Sequence, residues 1–576
     1  MSNTHNYDAK VKAILDATTP GERVCVITGE KWMMTDEEIS WYKKFNVPPS
    51  TFSPLTRMRL LVCHWPAGQW WWHKHAETGK PMITGIHPAS GMKILPDKEW
   101  FARDFQSVSK EYQPGMPFMD QLFGLRQIIP FSASQNYEEA INSIAFNSWG
   151  DQDSYFVTGS KTKNAFFGAG SFNVESSAEF CLSQSISSSY HVVHSERIHN
   201  SKFIFESRDC LNSSFLFDCR NCEYCFGATN KRNKKYIFFN QELSEPAWKE
   251  KMAAINLGSK QCLNEYKQKF GQLMNEAVWP ENFNEKAKDC VGEYLTNCLD
   301  CRFTYYGLNG AQHNFWTVFA IGKSEGNAFS ADVVDGSENY CASGSTCRRC
   351  YFSIALSRCQ SCEYSLECYD CEFCFGCVGL RHKKFCIFNK QYTEADYWQL
   401  VDKIKCTMLE SGEYGQSVPA KFAPTYFPES AASKLYLASD TFGQQVGGGM
   451  FDPESMDAIG QELMSAKEVK DVSLLPDLVT DLTAWASVPL YDAIFKRRFT
   501  LLAPEVALYQ QLNVAPPSEH FIVRVREMWN ALNSGVLMSG ACAACNKAIT
   551  IGQNVAYPIR VIYCREDYLK FIEENG

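Results

Sequence analysis

Closely spaced cysteine pairs recur at a constant interval in the second half of this chain. Cys347, Cys359 and Cys371 are twelve residues apart, and another cysteine follows each of them three positions later. A fixed interval of this length is typical of a repeat architecture built from short strands and turns. An α-helix has no such period, because its turn contains 3.6 residues. The spacing therefore predicts twelve-residue coils that place cysteine above cysteine.

The repeated region occurs twice. The segment that begins at Cys219 aligns without gaps on the segment that begins at Cys368, at a constant offset of 149 residues. The twelve-residue interval continues upstream of both segments. We predict two β-solenoids of twelve-residue period, at 130–240 and 291–395, joined by a helical spacer at 241–290.

The two ends of the chain are also related. The segment from Glu37 aligns on the segment from Pro504 at an offset of 467 residues. We predict a degenerate zinc-ribbon-like module at 21–110, a helix and glycine-rich linker at 396–490, and a second zinc-ribbon-like module at 491–576. The predicted fold class is mainly β with helical spacers. The same alignment sets Cys542, Cys545 and Cys564 opposite His75, Thr78 and Asp97.

Composition excludes several classes of protein. The chain has 576 residues, enough for several folding units. A net charge of −9 argues against a nucleic-acid partner, which requires a basic surface. The sequence has no long apolar run, so we expect no membrane span. Its first residues lack the pattern of a signal peptide, so we expect synthesis in the cytoplasm.

The 25 cysteines leave three chemical states open: packed free thiols, disulfides and zinc ligands. Pairs on successive coils could bring four thiolates together around zinc. Cysteines six residues apart, such as Cys371 and Cys377, would face each other across one coil, which favours disulfides within a coil. The candidate zinc ligands in this region are Cys347, Cys350, Cys359, Cys362, Cys368, Cys371, Cys374 and Cys377.

The last module carries a more specific metal pattern. Cys542 and Cys545 form a C-x-x-C pair, and Cys564 follows at a predicted strand-to-helix corner, with Asp567 three residues later. Three thiolates and one carboxylate are a plausible zinc ligand set, while a metal-free remnant of such a site is the alternative. Zinc is the one cofactor that this sequence predicts.

Three motifs of the chain are specific: WYKKFNVPPST from Trp41, the stretch from Phe375 to Tyr392, and the C-x-x-C at Cys542. In these motifs the chain resembles a family of cysteine-rich, zinc-ribbon-like repeat proteins found in small uncultured bacteria and in bacteriophages. The resemblance implies metal ligands at four positions of the first module, of which this chain keeps one cysteine. It also implies that Asp567 replaces a fourth cysteine. Those four positions are Cys25, Thr28, Ser53 and Thr56.

The sequence contains no phosphate-binding loop, no H-E-x-x-H and no G-x-S-x-G. We predict a non-enzymatic structural and interaction protein that binds other protein subunits in an oligomeric assembly. The favoured form is a phage virion component of the capsid, neck or tail, for which a host surface is a further partner. One alternative is a cytoplasmic zinc-dependent protein-binding module. Another is a glycan-active β-helix enzyme, with Glu206 and Asp218 one period apart as its carboxylates.

Overall fold

Short parallel strands form the centre of the protein. The computed structural model describes residues 3–451, 462 and 468–576. Its largest sheet has 13 strands, and most strands pair in parallel with the strand twelve residues further along, as at Ile186↔Ile198 and Ile198↔Cys210. The strands of this sheet are Ile144–Phe146, Tyr155–Thr158, Lys161–Ala169, Phe172–Cys181, Gln184–Ser187, Tyr190–Val193, Glu196–His199, Lys202–Phe205, Arg208–Leu211, Ser214–Phe217, Phe226–Thr229, Ile237–Phe238 and Gln241–Glu242.

The second copy of the repeated region forms smaller sheets. Gly344 pairs with Leu356 at the same offset of twelve. Between these sheets the pairing continues as single parallel bridges, such as Ile354↔Leu366. The strands are Val291–Thr296, Arg302–Leu308, Phe315–Ile321, Ala328–Ala331, Gly344–Ser345, Leu356–Ser357, Glu372–Phe375, Lys384–Ile387 and Lys390–Gln391.

The backbone turns at about every third residue of the repeated regions. Asn200, Phe203, Glu206 and Asp209 all have positive φ, between 46° and 57°. Asn and Asp tolerate this left-handed conformation, whereas an aromatic residue adopts it at a cost. Phe203 offsets that cost by stacking on Phe215, with ring centroids 4.8 Å apart and planes 3° from parallel. Side chains twelve residues apart thus support one another.

Buried serines satisfy backbone groups that no strand pairing reaches. The Ser195 hydroxyl donates to the carbonyl of Val193 and accepts the N–H of Ser207, at 2.9 and 3.0 Å. Ser183 accepts the N–H of Ser195 in the same way, at 3.2 Å. Because an unsatisfied buried N–H costs about 1–3 kcal/mol, this ladder stabilises the repeat.

Helices and small hairpins cover the sheets. The α-helices are His5–Ala17, Asp36–Phe45, Pro54–Val62, Asp97–Phe101, Phe118–Arg126, Glu245–Ala253, Lys260–Glu276, Glu394–Glu410, Ala431–Leu435, Asp440–Gln445, Ala503–Leu512, Phe521–Ala531 and Arg565–Asn575. The remaining strands are Gly21–Val24, Lys31–Met34, Trp71–Lys74, Pro81–Thr84, Ile94–Leu95, Phe131–Ser132, Val278–Pro280, Lys470–Asp471, Pro489–Asp492, Arg497–Thr500, Asn533–Ala541, Ala548–Asn554 and Val561–Tyr563. Within the described ranges, no helix is long and apolar enough to cross a membrane.

A buried arginine joins the N-terminal end of the chain to the second copy. Arg57 is 2% exposed and lies between Glu38, at 3.8 Å, and the hydroxyl of Tyr42, at 3.2 Å. Its other terminal nitrogen donates to the hydroxyl of Tyr340 in the second copy. The guanidinium also lies over the ring of Phe329, 3.2 Å from its centroid. The first module therefore packs on the second copy.

A matching arginine joins the C-terminal end to the first copy. Arg524 is 3% exposed and donates to Tyr509, at 2.9 Å, and to Glu179 of the first copy, at 2.7 Å. Glu505 lies 3.8 Å away and accepts a hydrogen bond from Tyr509. These three residues of the last module are 467 positions after Glu38, Tyr42 and Arg57. The two ends of the chain therefore share a pattern of side-chain contacts as well as a sequence pattern.

The predicted fold class is wrong. The structure is about 28% helix and 32% strand, with one large sheet of mixed direction and several small sheets, rather than two β-solenoids flanked by separate small modules. One hydrophobic core runs from Tyr7 to Leu532 and includes residues of both end modules. The twelve-residue interval predicts which residues pair, but it carries no information on how helices cover the sheets, and that covering changes the fold class.

The predicted linker region contains much of this core. Phe427, Leu435, Tyr436 and Phe442 are all buried. Part of the predicted linker, 452–461 and 463–467, lies outside the described residues. The boundaries of the predicted domains stay a prediction.

Glu293 predicts how stability depends on pH. This carboxyl is 1% exposed, and burial, with Glu206 nearby, raises its pKa from 4.5 to about 8. The folded state thus favours the protonated form, so stability that is complete below pH 4.5 is lost as the pH rises through about 8. Replacing Glu293 by Gln should remove about 4 kcal/mol of that loss. Urea unfolding at pH 5 to 9 measures it.

Glu574→Gln is the matched control, because Glu574 is exposed. A pH profile of Glu293→Gln that runs parallel to the wild-type profile would contradict this assignment.

Candidate metal centre

A hairpin and a helix N-terminus build the site. Cys542 and Cys545 lie in the turn between strands Asn533–Ala541 and Ala548–Asn554, where the N–H of Asn546 bonds the carbonyl of Cys542 at 2.9 Å. Asn546 has a φ of 62°, which closes this tight turn. Cys564 is the N-cap of helix Arg565–Asn575, and Asp567 lies in its first turn. The strand, the turn and the helix thus aim four side chains at one point.

The distances fit a single metal ion. In the described part of the chain, this is the one group of three or more His, Cys, Asp or Glu whose ligand atoms all lie within 4.8 Å of one another. The Oδ2 atom of Asp567 is 3.1 Å from the sulfurs of both Cys542 and Cys564, and the sulfurs of Cys545 and Cys564 are 3.9 Å apart. Four ligands about 2.0–2.3 Å from a tetrahedral zinc ion are separated by about 3.3–3.8 Å.

The electrostatics of the site favour a cation. Hydrogen bonds from the thiols of Cys545, Cys542 and Cys564 lower the pKa of Asp567 to about 2, so the carboxylate is ionised. Burial opposes ionisation of Cys542, but the backbone N–H groups of Cys564 and Cys545 outweigh it and lower the pKa of that thiol. The N–H of Cys564 is 3.2 Å from the Cys542 sulfur. A divalent cation that displaced the thiol protons would offset part of the negative charge of the three thiolates and the carboxylate.

The same hairpin turn occurs elsewhere, and sequence reasoning missed part of this relation. Gly29 and Gly79 both have a φ of 69° and bond the carbonyl four residues earlier, as Asn546 does. Each turn is followed, further along the chain, by the start of a helix. A fourth hairpin joins strands Pro489–Asp492 and Arg497–Thr500, and helix Phe521–Ala531 follows it. These four hairpin-and-helix units comprise two in each end module, where the sequence predicted one module at each end. The available signal was the fifth residue of C-V-I-T-G and H-A-E-T-G, a glycine that the positive φ favours.

The first unit has hydrogen bonds in place of metal ligands. Ser53 is the N-cap of helix Pro54–Val62, the position that Cys564 occupies in the last unit. Its hydroxyl is 3.0 Å from that of Thr56, which lies 3.5 Å from the sulfur of Cys25. Burial raises the pKa of Cys25, but hydrogen bonds from Thr28 and the Ser53 backbone outweigh it and lower the pKa to about 7. The four positions that the resemblance implied thus do meet.

In the second unit, the structural match to the last unit differs by one residue from the sequence alignment of the two chain ends. The N-cap of its helix is Pro96, so Pro96 and Glu99, rather than Asp97, correspond to Cys564 and Asp567. His75 contacts Glu99 at 3.1 Å, as Cys542 contacts Asp567. Asp97 instead accepts the N–H groups of Ser134 and Asn136.

In the third unit, a carboxylate accepts hydrogen bonds from backbone N–H groups. Asp492 stands at the position of Cys542 and accepts the N–H groups of Ile494, Phe495 and His520, at 3.0–3.1 Å. His520 is the N-cap of helix Phe521–Ala531. Of the four units, the last alone keeps a ligand set for an ion among the described residues.

The predicted cysteines of the second copy lie together, but in a different arrangement. All 25 cysteines belong to the described chain, and all are free thiols. The thiol of Cys362 is 3.5 Å from the carbonyls of Gln360 and Cys371, and its neighbours make similar contacts. Here the thiols act as small buried groups with weak S–H donors, and zinc binding among them stays a prediction. Nine cysteines share this buried cluster: Cys347, Cys350, Cys359, Cys362, Cys368, Cys371, Cys374, Cys377 and Cys386.

The two carboxylates considered for glycan cleavage are buried. Glu206 is 4% exposed and accepts hydrogen bonds from His194 and Tyr294. Asp218 is 1% exposed and bonds Arg232 and Tyr568. These contacts tie the copies and the last helix together, and burial leaves both carboxylates almost inaccessible to solvent.

Comparison with known proteins adds little. No family model and no curated protein matches this chain. A solved structure described as a "putative acetyltransferase" from Desulfovibrio desulfuricans G20 aligns with 51% of this chain and 91% of its own, at 9% identity and a TM-score of 0.09. Similarity at that score supports no conclusion about fold or activity.

The similarity of the four units predicts that a zinc site can be built into the first unit. Replacing Thr28, Ser53 and Thr56 by cysteine should complete a four-thiol set with Cys25, because these side chains already meet around one point. We expect the triple variant to bind one more equivalent of zinc than the wild type, measured by elemental analysis after gel filtration.

The double variant that keeps Thr56 is the control, and it should hold the added ion more weakly. A folded triple variant with unchanged zinc content would refute the proposed equivalence of the units.

Proposed function

We propose that this protein is a non-enzymatic, zinc-binding interaction protein in which the ion stabilises the last module. The observation that carries this proposal is the convergence of Cys542, Cys545, Cys564 and Asp567 within 4.8 Å. Four protein ligands fill a tetrahedral zinc ion, which is typical of structural sites, whereas catalytic sites keep a position for water or substrate.

The surroundings of the site support a structural role. Helix Arg565–Asn575, which carries Asp567, is bound to the first copy through Tyr568, whose hydroxyl contacts Asp218 and Arg232. Strand Val561–Tyr563, just before Cys564, pairs with strand Val278–Pro280. An ion at the site would therefore brace both the hairpin and the helix against the rest of the protein.

Exposed apolar side chains support a role in binding another protein. Solvent-exposed apolar groups concentrated in a small module are typical of contact surfaces. We propose that the partner is a protein subunit that covers these groups. They are Met538, Val555, Ile559, Val561 and Leu569, between 36% and 87% exposed. The virion role implied by the family resemblance stays a prediction, as does the cellular location.

Cys545→Ser tests the metal site. We expect zinc affinity to fall by more than about 100-fold, because a direct ligand is lost. The last module should then become sensitive to proteolysis while the two repeated regions keep their melting transition. Zinc content by mass spectrometry and limited proteolysis measure these effects.

Cys262→Ser is the matched control, since Cys262 is a half-buried thiol outside the site. The zinc assignment fails if both serine variants retain the same zinc content as the wild type.

Asp567→Cys tests the fourth ligand. Completing a Cys₄ set should tighten zinc binding by about 10-fold or more, because thiolates suit zinc better than carboxylate. Competition with a chelating dye measures the affinity. Glu566→Cys adds a thiol on the same helix turn outside the ligand group and should leave the affinity unchanged; an equal gain in both variants would count against Asp567 as a ligand.

A further inference from the structure

A large cavity is lined by residues of both repeated regions and by none of the metal-centre residues. Its volume is about 420 Å³. Protein interiors contain few voids larger than a water molecule, and sites for small molecules usually have volumes of about 300–1,000 Å³. The cavity is thus large enough for a compound of several rings.

Aromatic and aliphatic side chains form most of its wall. Tyr137 and Trp149 are stacked, with ring centroids 4.6 Å apart, and Phe172 lies 5.3 Å from Trp149. From the second copy, Tyr306 and Phe319 also line the cavity. Aromatic side chains from both copies favour a planar, aromatic occupant, because rings pack well in offset stacks and in edge-to-face contacts.

The wall also contains polar side chains that can donate hydrogen bonds. Asp332 accepts a long hydrogen bond from Tyr137, at 3.4 Å, and burial raises the pKa of Asp332 to about 7, so about half of these carboxyls are neutral donors at pH 7. Gln135 Nε2 and Trp65 Nε1, on two further lining residues, have no partner among the described residues. Buried donors without partners are costly. Both atoms are shielded from solvent, so these side chains must shift slightly before an acceptor atom on an occupant can reach them.

A second, wider groove adjoins the cavity. It has a volume of about 890 Å³ and shares Tyr137, Ser357 and Tyr369 with the inner wall. Trp70 and Trp72 line its outer part. Because the two spaces share these residues, the groove can hold a polar end of a compound whose rings lie in the inner cavity.

We propose that this cavity binds an uncharged, planar compound of two or more rings that carries a carbonyl acceptor. The rings lie between the aromatic side chains of the two copies, and the carbonyl accepts hydrogen bonds from Asp332 and its neighbours. This site is independent of the metal centre and of the function proposed for it.

Prodan, a naphthalene ketone whose fluorescence shifts to the blue in apolar surroundings, is a suitable probe. We expect saturable binding at one site per chain of the full-length protein, with blue-shifted emission. Val334→Trp places a large side chain in the cavity wall and should weaken binding at least tenfold. Val26→Trp is the matched control, because Val26 is 68% exposed and outside the wall, and it should bind prodan like the wild type.

Leu308→Trp fills the same cavity from a neighbouring strand and serves if Val334→Trp does not fold. Circular dichroism and a melting curve establish folding of each variant. No saturable prodan binding by the wild type, or full binding by a folded cavity-filling variant, would overturn the proposal.

The acceptor contact has its own test. Asp332→Asn keeps an N–H donor at this position and should hold prodan within about threefold of the wild type, whereas Asp332→Leu removes the donor and should weaken binding about tenfold. Equal affinity for both variants would show that the carbonyl is not bound at Asp332.

Discussion

Parallel backbone pairing at an offset of twelve residues is the constraint on which the rest of this structure depends. It places like side chains above one another, so that Phe203 stacks on Phe215 and Ser195 satisfies the N–H of Ser207. These contacts repay the cost of a backbone that enters the left-handed region at every third residue. Each strand is stabilised because the strands twelve residues before and after it present the same kind of side chain at the matching position.

The two repeated regions do not stand alone, because each end of the chain covers the copy that is more distant in sequence. Arg57 reaches Tyr340 of the second copy, and Arg524 reaches Glu179 of the first. Both guanidiniums are buried beside carboxylates, so removing either partner would leave an uncompensated charge in the core. This exchange joins four segments of the chain into one hydrophobic core.

Four related hairpin-and-helix units show that hydrogen bonds can take the place that a metal ion can fill in this fold. Serine and threonine hydroxyls meet around Cys25, His75 contacts Glu99, and Asp492 takes up backbone N–H groups. In each case hydrogen bonds hold the turn against the helix. The last unit keeps three thiols and one carboxylate, and there a metal ion can supply the same bracing.

The sequence by itself determined the pairing interval, both duplications and the four candidate ligand residues of the last unit, because these depend on local spacing and on residue chemistry. Only the tertiary structure decided the fold class and the cavity. It also decided the burial and the hydrogen-bond partners of many cysteines and carboxylates, including Cys362, Glu206 and Asp218. These properties depend on which distant surfaces meet, and a periodic pattern is the same whether its outer faces meet water, a helix or the other copy.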